Sequence, residues 1–167
     1  PWTLYEKQVP TRLESPAHRG DFIVDVLEGM LVKDVYQQNR KIHTVYEGAS
    51  LDSIVHMLAK NSQRYFPVVD RENKMVGIFS AEDVRSYLYD DTLWKIANAR
   101  DIMITRVITV TPNDDLNTAL TKFTAFNIDD LPVVSPSDPQ EILGILRRKE
   151  TIAAYNRKRL EHKHAKS

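Results

Sequence analysis

A short pattern occurs twice in this sequence, so any fold must accommodate two copies of one unit. Lys33-Asp34-Val35 returns as Arg100-Asp101-Ile102, and Ile42-His43-Thr44-Val45 returns as Val107-Ile108-Thr109-Val110. Tyr65-Phe66-Pro67-Val68-Val69 returns as Asp130-Leu131-Pro132-Val133-Val134, and Met75-Val76-Gly77-Ile78-Phe79 as Ile142-Leu143-Gly144-Ile145-Leu146. The offset is 67 residues at the first and last matches and 65 between them, which two small length changes in loops explain.

Periodicity reads alike in both copies. Leu51, Ile54, Val55 and Leu58 stand at the spacing of one buried helix face, and Leu116, Ala119, Leu120 and Phe123 repeat it. The runs Ile42 to Tyr46, Phe66 to Val69 and Lys74 to Phe79 predict strands, with Asp70-Arg71-Glu72-Asn73 as the turn between the last two. A helix follows from Ser80 to about Tyr89. The unit is therefore β-α-β-β-α, and Val107 to Tyr155 offers it again, with Ser135-Pro136-Ser137-Asp138-Pro139 as its turn. A unit of about 55 to 60 residues buries too little surface to be comfortable alone. The expected architecture is α/β (α+β): two repeats packed face to face with pseudo-two-fold symmetry, after an extended linker. Such symmetry makes two clefts between the copies, where small ligands tend to bind.

Composition removes several functions. There is no cysteine, hence no disulfide, no cysteine zinc site and no thiol nucleophile. The five histidines, His18, His43, His56, His162 and His164, lack metal-ligand spacing, and no metal site is expected. The acidic clusters Asp129-Asp130 and Asn113-Asp114-Asp115 suggest a metal less well than they suggest caps, the second lying just before the helix at Leu116. With 23 basic and 23 acidic side chains the formal charge is zero, which removes the bulk attraction behind non-specific nucleic-acid binding. No run of about 18 apolar residues is present, so these residues predict no membrane span. Arg19-Gly20-Asp21 is a chance tripeptide.

The string Phe66-Pro67-Val68-Val69, a turn, then Gly77-Ile78-Phe79-Ser80-Ala81-Glu82-Asp83 resembles the CBS domain, which usually occurs in tandem pairs. The resemblance covers about residues 31 to 157. It implies a regulatory module without catalytic residues that takes an adenine nucleotide. Upstream, Ser15-Pro16-Ala17-His18-Arg19-Gly20-Asp21-Phe22, Asp25-Val26-Leu27 and Val32-Lys33-Asp34-Val35 resemble the segment that joins the last membrane helix to the CBS pair in prokaryotic ClC-family chloride channels and transporters. Trp2, Tyr5, Lys7 and Arg12 are residue types of a membrane boundary, or else a frayed extension of a soluble domain.

The resemblance implies that Ser80 and Asp83 contact a nucleotide, a carboxylate accepting from ribose hydroxyls and a serine serving phosphate oxygens. The same Ser-x-x-Asp is also a capping box that only satisfies helix N-H groups. In family geometry the opposite repeat completes the site, here Ile108 and Thr109, then Ile128, Asp130 and Pro132. Asp130 would repel a triphosphate there, favouring adenosine, AMP, a metal-bridged nucleotide or no ligand, unless Arg147 and Arg148 offset it. The second copy has Arg147 and Glu150 in place of the pair, a degenerate site whose side chains most simply form a surface ion pair.

The expected divisions are a linker at 1–30 from a membrane domain, repeats at 31–90 and 91–157, and a frayed basic tail at 158–167. The expected function is the regulatory region of a ClC-type chloride channel or chloride/proton exchanger, on the cytoplasmic face of the membrane. It needs no cofactor and responds to AMP, ADP, ATP or adenosine. Its partners are its own transport domain and a second copy in a homodimer, docked through the helices after the first and third strands. The alternatives are an architectural dimerisation module that binds nothing, and a CBS pair serving a different transporter or enzyme.

Overall fold

A computed structural model describes residues 17–38 and 40–166, without side-chain detail at 17–19, 21 and 162–166. Trp2, Tyr5, Lys7, Arg12, Ser15 and Pro16 lie outside the described residues. The elements are α1 (Ala17–Glu28), a 3-10 turn (Val32–Asp34), β1 (Val45–Tyr46), α2 (Leu51–Ala59), β2 (Tyr65–Val69), β3 (Met75–Ser80), α3 (Ala81–Tyr87), α4 (Asp91–Ile96), α5 (Ala99–Ile102), α6 (Leu116–Phe126), β4 (Asp130–Ser135), β5 (Asp138–Arg147) and α7 (Arg148–Lys166).

These fall into two compact units, each drawn from separated stretches of chain. A central unit holds Gln37–Thr109 and Pro132–Ile145; a terminal unit holds the described residues up to Tyr36, Val110–Leu131 and the described residues from Leu146 on.

In the central unit β1 runs parallel to β2, and β2 pairs antiparallel with β3. Asp70 makes the β2–β3 turn. Its carboxylate accepts from the Glu72 and Lys74 N-H groups at 2.9 and 3.0 Å, while Asn73 takes the left-handed conformation at φ 64° that asparagine tolerates. The register sets Phe66 opposite Phe79, and their rings stack with centroids 5.6 Å apart. Leu51, Ile54, Val68, Val84 and Ile102 close the core around them. The predicted strand over Ile42–Tyr46 is shortened to its last two residues. The Gln63 side chain takes up both backbone groups of His43, accepting from its N-H at 3.0 Å and donating to its carbonyl at 2.9 Å. Val107–Thr109 likewise forms no strand, since pairing with β3 is made earlier, where Ile78 and Ile104 exchange bonds of 3.0 and 2.8 Å.

In the terminal unit α1 packs on α6 and α7, and Leu27, Val32, Leu116, Ala119, Phe123, Leu146 and Ala154 are buried. Two expectations are corrected here. Residues 17–28, read as extended, are helical, because Phe22, Ile23, Val26 and Leu27 form a stripe of half-buried and buried side chains at helical spacing. The basic tail, expected to fray, continues α7 to Lys166, a stretch of good helix formers interrupted by neither glycine nor proline. A third correction concerns the central unit, where the second turn is tighter than predicted: only Pro136 and Ser137 separate β4 from β5, a connection short enough to require an antiparallel hairpin.

The repeats exchange their leading segments. In the terminal unit the Val32 and Lys33 N-H groups donate to Asp114 and Pro112 carbonyls, and Leu116 donates to Met30. In the central unit Ala99 and Arg100 donate to Ala49 and Glu47, and Leu51 donates to Ala97. These are the same three bonds at the same offsets. Each repeat's first helix is thus seated on the lead-in of the other.

Candidate functional site

Ser80 ends β3 and serves as the N-cap of α3. Its Oγ accepts from the Asp83 N-H at 3.0 Å, and Asp83 Oδ2 accepts from the Ser80 N-H at 3.4 Å, so the pair forms a capping box. The second of these bonds is long. Asp83 is exposed, and a carboxylate offers about four acceptor positions, so the cap leaves acceptor capacity facing solvent. The corner is fixed from behind by the Ala81 N-H, which donates to the Arg64 carbonyl at 2.8 Å, and by Val84, fully buried below.

The equivalent corner between β5 and α7 has the same backbone bond, from the Arg148 N-H to the Asp129 carbonyl at 2.8 Å. Its side chains differ. Arginine has no acceptor, so Arg147 cannot cap as Ser80 does. Instead the buried Thr151 hydroxyl donates to the Arg147 carbonyl at 2.9 Å, and Arg148 forms an ion pair with Asp129 at 3.0 Å.

The other predicted contacts divide between the units. Ile108, Thr109 and Pro132 belong with Ser80 and Asp83 to the central unit, Ile128 and Asp130 to the terminal unit. Asp130 is 7% exposed at the first position of β4, and Pro132 is buried two residues on.

Within the central unit a cavity of about 340 Å³ is lined by Met75 and Val76 of β3, by Thr105, Val107 and Thr109, and by Pro139 and Gln140 of β5. Its lining includes Thr109 but neither Ser80, Asp83 nor Ile108. Alternate residues of an extended segment face opposite ways, which is why 105, 107 and 109 line it and 108 does not. It lies at the start of β3, whereas Ser80 is the last residue of that strand, about 16 Å away at an ordinary strand rise. Beside it, Gln140 Nε2 donates to the Met75 carbonyl at 3.2 Å and Lys74 forms an ion pair with Asp138. The Lys74 ammonium, then the Gln140 backbone N-H, hold the Asp138 carboxyl below its ordinary value; Lys74 is raised in turn.

Sequence reasoning missed Met103 and Ile104, which press on β3. The signal was Gly77. A Cβ there would stand 2.6 Å from Met103 Sδ and 2.9 Å from the Ile104 carbonyl oxygen, and a glycine inside a strand marks such an approach. Among the other candidates, Asp115 caps α6 through the Thr118 N-H at 2.7 Å, as its position predicts. His56 Nδ1 lies 2.8 Å from the Asp52 carbonyl oxygen. No group of three metal-ligating side chains occurs among the described residues, and none of their helices is long and apolar enough to cross a membrane.

Known proteins are similar to this chain in sequence or in fold. An uncharacterized protein of Methanocaldococcus jannaschii is 26% identical over 132 residues, covering 70% of this chain and 46% of its own. A homoserine O-acetyltransferase of Methanococcus vannielii is 27% identical over 112 residues, covering 67% of this chain and 22% of the enzyme. The chain thus spans less than half of either relative. Among solved structures, CBSX2 in complex with AMP superposes with a TM-score of 0.67 at 22% identity, over 77% of this chain and 98% of that one. A CBS domain pair in complex with 5-methylthioadenosine and S-adenosyl-L-methionine gives 0.64 at 24%, over 77% and 98%. The CBS domain of a bacterial CNNM/CorC-family Mg2+ transporter gives 0.66 at 16%, over 88% and 93%. These identities establish likeness of fold alone. A CBS domain model matches residues 32–90 and again 99–157, well over half of the chain and the same two stretches that the doubled pattern and the paired backbone bonds single out. This chain belongs to the CBS domain family and carries two CBS repeats in tandem.

Proposed function

We propose that this chain is the regulatory region of a ClC-type chloride channel or chloride/proton exchanger, on the cytoplasmic face of the membrane, and that it responds to an adenosine-containing ligand. The observation that carries the transporter reading is the run from Ser15 to Val35, which leads through α1 straight into the first repeat. A CBS domain of similar fold in a Mg2+ transporter supports the idea that such modules serve transporters. The ligand class is supported by the AMP, methylthioadenosine and S-adenosyl-L-methionine held by proteins of this fold. Ser80 and Asp83, with Ile108, Thr109 and Pro132 of the same unit, are the proposed contacts, and Asp83 supplies an exposed carboxylate to the ribose hydroxyls. The module catalyses nothing. A ligand would act by favouring one of two arrangements of the chain, and only a difference in affinity between them can do this. The transport domain and a second copy of this chain are its proposed partners.

The test is chloride flux of the full protein with and without AMP, ADP, ATP and adenosine, repeated with Asp83→Ala. Flux that responds to a ligand in the wild type and not in the variant supports the reading; flux indifferent to all four removes it. A second reading, an architectural module that binds nothing, is favoured by one observation: Ser80 and Asp83 already serve each other as a cap. Thermal shift separates the two, since a ligand at 100 times its dissociation constant stabilises by about 2.7 kcal/mol.

A further inference from the structure

Helix α7 outlasts its packing. Thr151 and Ala154 are buried and Tyr155 is half-buried, but every residue from Asn156 to Glu161 is exposed. At 1.5 Å per residue, the stretch from Asn156 to Lys166 carries the helix about 16 Å further. That stretch is also where the charge of the molecule is concentrated. From Arg157 to Ser167 there are five lysines and arginines against one glutamate, a net charge of +4 in a chain whose total is zero. The remaining residues therefore carry a net −4. Leu160, 49% exposed, stands among these cations with Arg157, Lys158 and Arg159 before it.

A basic, exposed helix with an apolar side chain in it suits an anionic surface that also accepts hydrocarbon. Single-stranded nucleic acid would call for aromatic stacking platforms, and no Phe, Tyr or Trp occurs beyond Tyr155. In the terminal unit α7 packs on α1, the segment that follows the chain's proposed exit from the bilayer. We infer that the end of α7 from Arg157 onward docks on a membrane surface rich in anionic lipid, with Leu160 at the edge of the acyl region, Arg157 on the same face at the headgroups, and Lys158 and Arg159, further round the helix, adding long-range attraction. The inference rests on the transporter reading only for where the bilayer lies.

Sedimentation of the 167-residue chain with vesicles tests it. The vesicles are phosphatidylcholine alone and phosphatidylcholine mixed with phosphatidylserine, at about 0.1 M and about 1 M salt, where screening lengths are about 10 and about 3 Å. Binding is expected only to the mixed vesicles and only at the lower salt. Replacing Arg157→Gln, Lys158→Gln and Arg159→Gln together should weaken it at least about tenfold, as loss of three cations near an anionic surface requires. Equal binding to both vesicles, no binding to either, an undiminished triple variant, or preferential capture by duplex DNA added as competitor overturns the inference. A negative result beside a chloride flux that still responds to adenosine ligands removes the lipid contact and leaves the transporter reading. Lipid binding by a protein whose full reading frame lacks membrane helices does the reverse.

Discussion

The junction of β3 with α3 and the junction of β5 with α7 occupy equivalent places in the two repeats and share one backbone bond, yet their side chains do different things. At the first, a serine and an aspartate cap a seven-residue helix. At the second, Arg147 and Glu150 stand in their places, and a buried threonine hydroxyl and the Arg148–Asp129 ion pair hold the start of a 19-residue helix. The short helix has few backbone bonds of its own and gains proportionately more from a cap. The long helix has burial at Thr151 and Ala154 to hold it and does without one. What the first corner has, and the second lacks, is an exposed carboxylate beside a hydroxyl.

The comparison can be broken most forcefully from beneath. Phe79 and Leu146 are the fully buried residues preceding the two junctions. Phe79→Ala should cost about 3–5 kcal/mol, and Leu146→Ala about 2–5 kcal/mol, read by denaturant unfolding. Equal and small losses would mean that the corners do not rest on the cores described. The cap itself comes next. Ser80→Ala should cost about 1 kcal/mol, lowering the melting temperature by about 2–4 °C, whereas Arg147→Ala should leave it nearly unchanged. The difference between the repeats can also be erased: Arg147→Ser places a capping residue three before Glu150 and should stabilise by about 0.5–1 kcal/mol.

The smallest effect concerns the Lys74–Asp138 pair. Because the folded state holds the Asp138 carboxyl below its ordinary value of 3.8, its contribution is present above that pH and is lost as pH falls through the lower folded value. Lys74 is held above 10.5, so its contribution is complete below that and fades at higher pH. The melting-temperature difference between wild type and Lys74→Ala should therefore be constant through neutral pH, begin to fade only as pH falls below about 4, and vanish only once pH lies below the lower folded value of Asp138. A difference that grew on acidification would contradict the ion pair.

Much of the fold was legible from residues that act over three or four positions. The spacing of Leu51 and Ile54, and of Leu116, Ala119 and Phe123, identified the buried faces of α2 and α6. Asp70 to Asn73 announced a turn that a left-handed asparagine completes, and Ser80 with Asp83 announced a cap. The candidate site was less legible. Which residues approach Gly77 depends on Met103 and Ile104, distant in sequence and carrying no pattern that assigns them to β3. The cavity beside Thr109 needs Met75 and Val76 from the other repeat, and Pro139 and Gln140 from 30 residues further along its own. The strand at Ile42 was shortened by Gln63, a polar side chain whose reach no periodicity records.

Doubling, helix faces, turns and caps were determined by the sequence itself, since each is a relation between neighbours that geometry confines to a few positions. Tertiary structure decided which lead-in segment serves which helix. Met30 and Ala97 offer the same carbonyl, and Leu51 and Leu116 the same N-H, so the two copies present interchangeable partners and local pattern cannot tell own from other. Only the packing of α1 against α6 and α7, and of α5 within the central core, distinguishes the pairings.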